Sequence, residues 1–199
     1  MKPLSLELEE ILLRPLTMAD APEIARICQD PLIQKWTTIP SPYSIDDAET
    51  YVTLSHRWWD HDQPTWLIDV DGAIAGTISF NTPLAKGKRT EIGFWANPEH
   101  RGKGYMTDAV RGVCHWAFRY GVGAIGWAAE IHDGNLNHGS IRVAQKAGFV
   151  YDGRRRLALH NKGELVDAIY ATLAPSDPII DTAPWPHTRV SDGIAVQQC

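Results

Sequence analysis

Hydrophobic and polar positions along the chain predict a succession of strands and helices. Short runs rich in β-branched and aromatic residues predict strands, whereas apolar residues three or four positions apart predict helices. The predicted strands are residues 12–16, 65–70, 73–80, 90–95, 125–131, a strand from 149 onward, and 165–173. The predicted helices follow residue 17, run from 44 to about 59, follow residue 104, and span 140–147. The order β-α-α-β-β-β-α-β-α-β-β predicts a mixed α/β sheet with helices packed on it.

Turn and cap signals support several of these boundaries. Ser44 with Asp47 three residues later is a variant of the capping box and predicts the start of the second helix. Asp71-Gly72 suits the positive φ angles of a tight turn, so residues 65–80 are predicted to form a hairpin. A second hairpin is predicted to turn near residues 161–163.

Length and charge limit the class of protein. The 199 residues suit one domain, predicted as 1–174, followed by an irregular Pro-rich tail over 175–199. Lys and Arg total 19 against 24 Asp and Glu, and this acidic balance argues against a nucleic-acid partner. No apolar run approaches the roughly 18 residues of a membrane span, and the acidic N-terminus does not resemble a secretory signal. We therefore expect a cytoplasmic protein without a membrane partner.

Cysteine and histidine spacing gives no sign of a disulfide framework or a metal site. Cys28, Cys114 and Cys199 are odd in number and widely separated, and the first two are predicted to be buried thiols. His56 and His61 lie five positions apart, and His132 and His138 are separated by a loop-like segment, so neither spacing resembles a ligand pair such as H-E-x-x-H. No metal is expected.

A strand, a glycine loop and a helix meet at His100-Arg-Gly-Lys-Gly104 and predict a phosphate site. Glycines let the backbone approach an anion, and the start of a helix favours negative charge. The helix is predicted to face the core because its apolar residues lie on one stripe: Met106, Ala109, Val110, Val113 and Ala117. A Walker A loop is excluded because no Gly-Lys is followed by Ser or Thr. In the dinucleotide motif, Thr107 would replace the third glycine.

The segment Arg101-Gly-Lys-Gly104-Tyr-Met106 resembles the pyrophosphate loop of the GNAT acyltransferase superfamily. That loop has Arg or Gln, any two residues, Gly, any residue, and then Gly or Ala, so Met106 departs from it at the sixth position. Two further segments, Glu91-Ile-Gly-Phe-Trp-Ala-Asn-Pro98 and Asn137-His-Gly-Ser140 through Lys146-Ala-Gly-Phe149, fall where the family has counterparts. Over residues 11–173 the set is similar to the ribosomal-protein N-acetyltransferase branch, RimJ/RimL-like.

The resemblance implies a single α/β (α+β) GNAT-like domain that binds acetyl-CoA or another acyl-CoA. Its mixed sheet would be splayed between the fourth and fifth predicted strands, with helices on both faces. Main-chain groups at the splay would pair with the pantetheine arm, Asn137 would bind its amide region, and Asn135 is a rival for that role. The implied cofactor-binding residues are Phe94, Trp95, Ala96, Arg101, Gly102, Lys103, Gly104, Tyr105, Met106, Thr107, Asn137, Ser140 and Lys146.

Direct attack of an amine on the acyl thioester is the reaction that the resemblance implies. Glu91 is the candidate base, or a surface carboxylate; Ser140 is the candidate acid for the leaving thiolate, or a helix-capping residue. Trp36 follows Asp30-Pro31, which is predicted to end the first helix, and lies in a turn-rich connection. Together with Glu91, it is the candidate for binding the acceptor amine.

Several alternatives remain open at this point. The acceptor is a protein or peptide N-terminus, a small-molecule amine or an antibiotic amine, and the donor is acetyl-CoA or a longer acyl-CoA. A non-catalytic module that binds or senses acyl-CoA would keep the same loop. A structural domain would use Gly102 and Gly104 only for their backbone conformation. The eight tryptophans are compatible with a homodimer.

Overall fold

A mixed sheet organises the chain, whose computed structural model describes residues 1–132 and 134–186. Within these residues the sheet has nine strands in the order β1-β2-β3-β4-β5-β6-β9-β8, and β7 pairs with β6. The strands are β1 Leu6–Glu7, β2 Leu12–Arg14, β3 Thr65–Val70, β4 Ala73–Phe80, β5 Arg89–Ala96, β6 Ala124–His132, β7 Asn135–Leu136, β8 Val150–Asn161 and β9 Glu164–Leu173. The pairing of β5 with β6 is parallel, whereas the other strand pairs are antiparallel.

Helices cover both faces of this sheet, as predicted. They are α1 Ala21–Ile27, α2 Pro31–Trp36, α3 Ile45–Asp60, α4 Tyr105–Tyr120 and α5 His138–Lys146. Ile24 of α1 and Val52 of α3 pack in one buried cluster with Leu67 of β3. Val110 of α4 packs in a second cluster with Trp66, which lies on the opposite face of the same strand. Among the described residues, none of the helices is long and apolar enough to cross a membrane.

The local signals in the sequence place the element boundaries. Ser44 Oγ accepts a hydrogen bond from the Asp47 N–H at 3.1 Å, and the Asp47 carboxylate accepts one from the Ser44 N–H at 2.7 Å. This reciprocal pair satisfies two N–H groups at the start of α3, as the predicted capping box requires. The β3–β4 turn lies at Asp71-Gly72, also as predicted, with both residues at positive φ.

The sheet is splayed between β5 and β6, the fourth and fifth predicted strands. These two strands pair from Arg89 with Ala124 to Ile92 with Trp127, and the pairing then stops. Beyond that point β5 still pairs with β4, up to Ala96, while β6 still pairs with β9. The inner edge of residues 93–96 therefore faces β6 without being joined to it.

One helix and two short strands were not predicted. Asp30-Pro31 ends α1, as expected, but Pro31 also begins α2 because proline is compatible with the first position of a helix. Asp30 caps α2 by accepting a hydrogen bond from the Ile33 N–H at 2.9 Å. The placement of Trp36 in a turn-rich connection was therefore wrong, since it is the last residue of α2. The unpredicted strands, β1 and β7, have two residues each.

The thiols and the start of the tail are packed against the domain. Cys28 and Cys114 are buried, as predicted, and burial raises the pKa of Cys28 to about 12; Cys199 lies outside the described residues. Residues 174–186 contain no helix or strand, yet Trp185 is buried with its ring centroid 5.7 Å from that of Trp127. The division into a domain of 1–174 and a tail of 175–199 stays a prediction.

Candidate active site

A cavity of about 650 Å³ lies where the sheet is splayed. Its walls are the end of β5, the loop that enters α4, the helix α2, and the segment from β7 into α5. Lys103 and Glu91 lie outside these walls. The cavity brings together the other predicted site residues: Trp36, Phe94, Trp95, Ala96, Arg101, Gly102, Gly104, Tyr105, Met106, Thr107, Asn137, Ser140 and Lys146.

The loop at one end of the cavity has the properties of an anion site. Gly102 and Gly104 have φ angles of 78° and 98°, a region that favours glycine. Within the described chain, no hydrogen bond uses the main-chain N–H groups of residues 102–106. Because the first turn of α4 adds the positive end of its dipole, these N–H groups fit a pyrophosphate.

Arg101 connects this loop to α2. Its guanidinium donates to Asp30 Oδ1 at 2.6 Å, and the same carboxylate caps α2. Burial acts to raise the pKa of Asp30, but the hydrogen bonds from Arg101 and from the Ile33 N–H hold it below its ordinary value. The loop and the helix that carries Trp36 are therefore held by one ionised carboxylate.

Met106, which departs from the family pattern, points its side chain into the protein. It is 8% exposed and belongs to the core cluster under α4. Its Cε lies 3.1 Å from the place where a Cβ on Gly76 would be, and that Cβ would also stand 2.3 Å from the Trp95 carbonyl oxygen. Gly76 therefore provides room for both the methionine and the strand that borders the cavity.

Asn137 and Ser140 lie at the start of α5. Asn137 Oδ1 accepts a hydrogen bond from the Ser140 N–H at 3.1 Å, so Asn137 caps the helix. The Ser140 hydroxyl oxygen accepts from the indole Nε1–H of Trp127 at 3.1 Å, which leaves the hydroxyl proton for another acceptor. Asn135 also lines the cavity, so both asparagines can reach a ligand there.

Comparison with known proteins agrees with this geometry. The sequence model of the acetyltransferase (GNAT) domain family matches residues 10–150. The chain belongs to the GNAT acetyltransferase family. It is 26% identical over 177 residues to the uncharacterized N-acetyltransferase YoaA of Bacillus subtilis, covering 86% of this chain and 98% of YoaA.

Solved structures of GNAT acetyltransferases share the fold. The microcin C7 self-immunity acetyltransferase MccE, in complex with acetyl-CoA and AMP, aligns with a TM-score of 0.75 at 21% identity, covering 84% of this chain and 93% of MccE. The ribosomal L7/L12 α-N-protein acetyltransferase RimL aligns with a TM-score of 0.75 at 18% identity, covering 86% and 94%. At these identities the likeness shows the fold alone.

In this GNAT domain Glu91 is half-buried on β5 and lies one residue before the last paired position, Ile92. It projects to the face opposite Ile92, which packs in the core under α4. Burial raises the pKa of Tyr170 on β9; the positive charge of Arg155 opposes this rise and the negative charge of Glu91 adds to it. Glu91 therefore lies near Tyr170, beside the splay rather than in the cavity wall.

The sequence reasoning missed a polar cluster next to the cavity. Glu130 and His132 of β6 meet Asn161 of β8, and the His132 ring contacts Trp36 with centroids 5.4 Å apart. The signal was present in the alternation of residues 125–132, which places polar residues at 130 and 132 on the face opposite the apolar ones. Within the described residues, no group of three or more His, Cys, Asp or Glu could hold a metal ion.

Proposed function

We propose that the protein transfers the acetyl group of acetyl-CoA to a primary amine. The observation that carries this proposal is the unpaired edge of residues 93–96 at the splay, next to the free N–H groups of residues 102–106. The extended pantetheine arm of the cofactor would pair with the edge of residues 93–96. The pyrophosphate of the cofactor would accept hydrogen bonds from the N–H groups of residues 102–106. A thioester placed this way lies near Ser140 at the start of α5.

The proposed reaction is direct transfer without an acyl-enzyme. Acetyl-CoA supplies a carbonyl carbon activated as a thioester. The neutral amine attacks that carbon, a C–N bond forms, the C–S bond breaks, and the sulfur leaves as thiolate. Glu91 takes the proton released from the amine, directly or through water, and the hydroxyl of Ser140 gives its proton to the thiolate and regains one from solvent. Main-chain N–H groups near Phe94 polarise the carbonyl.

The acceptor belongs to one of two classes, a protein or peptide N-terminus or a small-molecule amine. RimL is named for acetylation of the α-amine of ribosomal protein L7/L12, and MccE is a self-immunity enzyme. An α-amine with a pKa near 8 is neutral far more often at pH 7 than a lysine with a pKa near 10.4, which favours the N-terminus. Trp36 provides an apolar wall on the acceptor side. Cytoplasmic location and a homodimer remain part of the proposal.

The first test is calorimetric titration with acetyl-CoA, with CoA and ADP as comparisons. We expect one-to-one binding of acetyl-CoA and CoA, and weaker binding of ADP, which lacks the pantetheine arm. Thiol release is then measured with peptides that have free N-termini and with small amines. Absence of acetyl-CoA binding would refute the site, whereas binding without thiol release for any amine would favour a non-catalytic acyl-CoA-binding module.

A further inference from the structure

Strand β6 presents two different faces. Ala129 and Ile131 are 6% exposed and pack in the core under α4, as the alternation of a strand requires. Glu130 and His132 point to the other face, where their side chains are 11% and 25% exposed. A carboxylate that is this little exposed needs strong partners, and the reaction proposed above gives it no role.

Two neighbouring side chains converge on one oxygen of this carboxylate. His132 Nε2 lies 2.6 Å from Glu130 Oε2, and Asn161 Nδ2 donates to the same oxygen at 2.6 Å. Because a carboxylate only accepts, His132 carries a proton on Nε2. Within the described chain, Glu130 Oε1 has no hydrogen-bond partner, so this oxygen is left to accept from a ligand.

Asn161 is oriented by the charge of Glu130. It is 4% exposed, and its Oδ1 is buried without a partner in the described chain. Turning the amide would place that oxygen against the carboxylate, which would be repulsive. The amide thus gives up a hydrogen bond of its carbonyl to direct its N–H group at Glu130. This arrangement fixes the direction of the carboxylate.

The cluster adjoins the cavity through Trp36. Trp36 lines the cavity and its ring contacts the His132 ring, whereas Glu130 and His132 lie beside the cavity, outside its walls. Lys162, in the β8–β9 turn, donates to the Gln34 carbonyl of α2 at 2.6 Å, so the hairpin that holds Asn161 is joined to the helix that holds Trp36. The polar cluster is therefore joined to α2 by this hydrogen bond and by the contact of His132 with Trp36.

We propose that Glu130 binds the ammonium group of the acceptor amine before transfer, with His132 and Asn161 as positioning residues and Trp36 as the apolar wall beside it. This inference rests on the proposed function and names the group that selects cationic amines. The cluster presents a carboxylate oxygen together with N–H donors, a set that suits a hydrogen-bonding cation better than a metal ion. The formal charge of −5 also favours a cationic acceptor over an acidic one.

The test compares Glu130→Gln with Glu164→Gln, an exposed glutamate at the start of β9, in the hairpin that carries Asn161. We expect Glu130→Gln to raise KM for the acceptor by about tenfold to a hundredfold, because a charge-assisted hydrogen bond is lost. The Kd for acetyl-CoA should not change, and Glu164→Gln should behave as wild type. Glu130→Asp keeps the charge on a shorter side chain, so its KM should lie between those of wild type and Glu130→Gln.

A second measurement separates binding from chemistry. Calorimetry on the protein saturated with acetyl-CoA compares a peptide that has a free α-amine, at pH 6 to suppress turnover, with the same peptide ending in an α-hydroxyl group. Wild type should prefer the amine, and Glu130→Gln should bind both alike. If Glu130→Gln transfers the acetyl group normally with an unchanged KM for the acceptor, the role of Glu130 is refuted. The same conclusion follows if wild type binds the amine and hydroxyl peptides equally well, and in both cases the proposed function stands. If no amine is transferred but the preference is seen, the proposed function fails and the amine site stands.

Discussion

Gly104 offers the most direct test of the phosphate loop. Its φ angle of 98° is unfavourable for any side chain, yet a Cβ there would meet nothing closer than Asp108 Oδ2 at 3.7 Å. Gly104→Ala therefore tests backbone conformation alone, with a strain of about 1–2 kcal/mol. If the loop relaxes to relieve this strain, the N–H groups that start α4 turn away. The Kd for acetyl-CoA should then rise by up to about thirtyfold.

Gly104→Glu adds charge to the same strain. A carboxylate about 6 Å from a pyrophosphate charge is repelled by about 1–3 kcal/mol at an effective dielectric constant between 80 and 20. Together the two effects cost about 2–5 kcal/mol, which raises the Kd for acetyl-CoA by about thirtyfold to a few thousandfold. Because Gly104 is exposed, the variant should remain folded.

Gly163 is the matched control for both substitutions. It has a φ angle of 88° in the exposed β8–β9 turn, and a Cβ there would meet nothing within 4 Å. Gly163→Ala and Gly163→Glu carry a similar strain at a position outside the cavity wall, so they should lower thermal stability by similar amounts and leave the Kd for acetyl-CoA unchanged. Equal affinity in wild type and Gly104→Glu would refute the assignment of the loop.

Three further predictions concern chemistry and stability. Glu91→Gln should bind acetyl-CoA as wild type does but lower kcat near pH 7 by about a hundredfold, with the loss shrinking at alkaline pH where the amine is already neutral; an unaltered pH–rate profile would remove Glu91 from the reaction. Ser140→Ala should lower kcat by less than about tenfold, since a thiolate needs little help to leave, and a larger loss in thiol-release assays would show that this proton is essential. Asp20, whose pKa is held down by Arg14 and Thr17 against the effect of burial, stabilises the fold above its unfolded pKa, and this stability is lost as pH falls through the lower folded pKa. Asp20→Asn should therefore cost about 2 kcal/mol in urea unfolding at pH 7 and much less near pH 2; equal losses at both would contradict the linkage.

Signals within a few residues predicted most of the fold. Asp71-Gly72 correctly predicted where β3 ends and where β4 begins, because only a positive-φ turn joins two strands so closely. The Ser44 capping box likewise predicted the start of α3. The same kind of rule failed at Pro31, because proline that ends one helix is equally suited to begin the next, and only the cap from Asp30 decides between them.

In the candidate site, too, local features could be predicted from the sequence and distant contacts could not. Gly102 and Gly104 could be predicted because backbone conformation and helix polarity act locally. The contacts that hold the site together could not be predicted, because they join distant segments: Asp30 meets Arg101 across 71 positions, and Asn161 meets Glu130 across 31.

Asp30 shows why these distant contacts matter for the proposed reaction. One carboxylate caps the helix that ends at Trp36 and also binds the arginine of the phosphate loop. The wall proposed for the acceptor is thereby joined to the loop proposed for the donor, and the hairpin that carries Asn161 is joined to the same helix through Lys162. Since α2 has only six residues, it has little stability of its own and depends on these contacts for its position. The helix that sequence patterns did not predict is therefore the element that joins the loop proposed for the donor to the wall proposed for the acceptor.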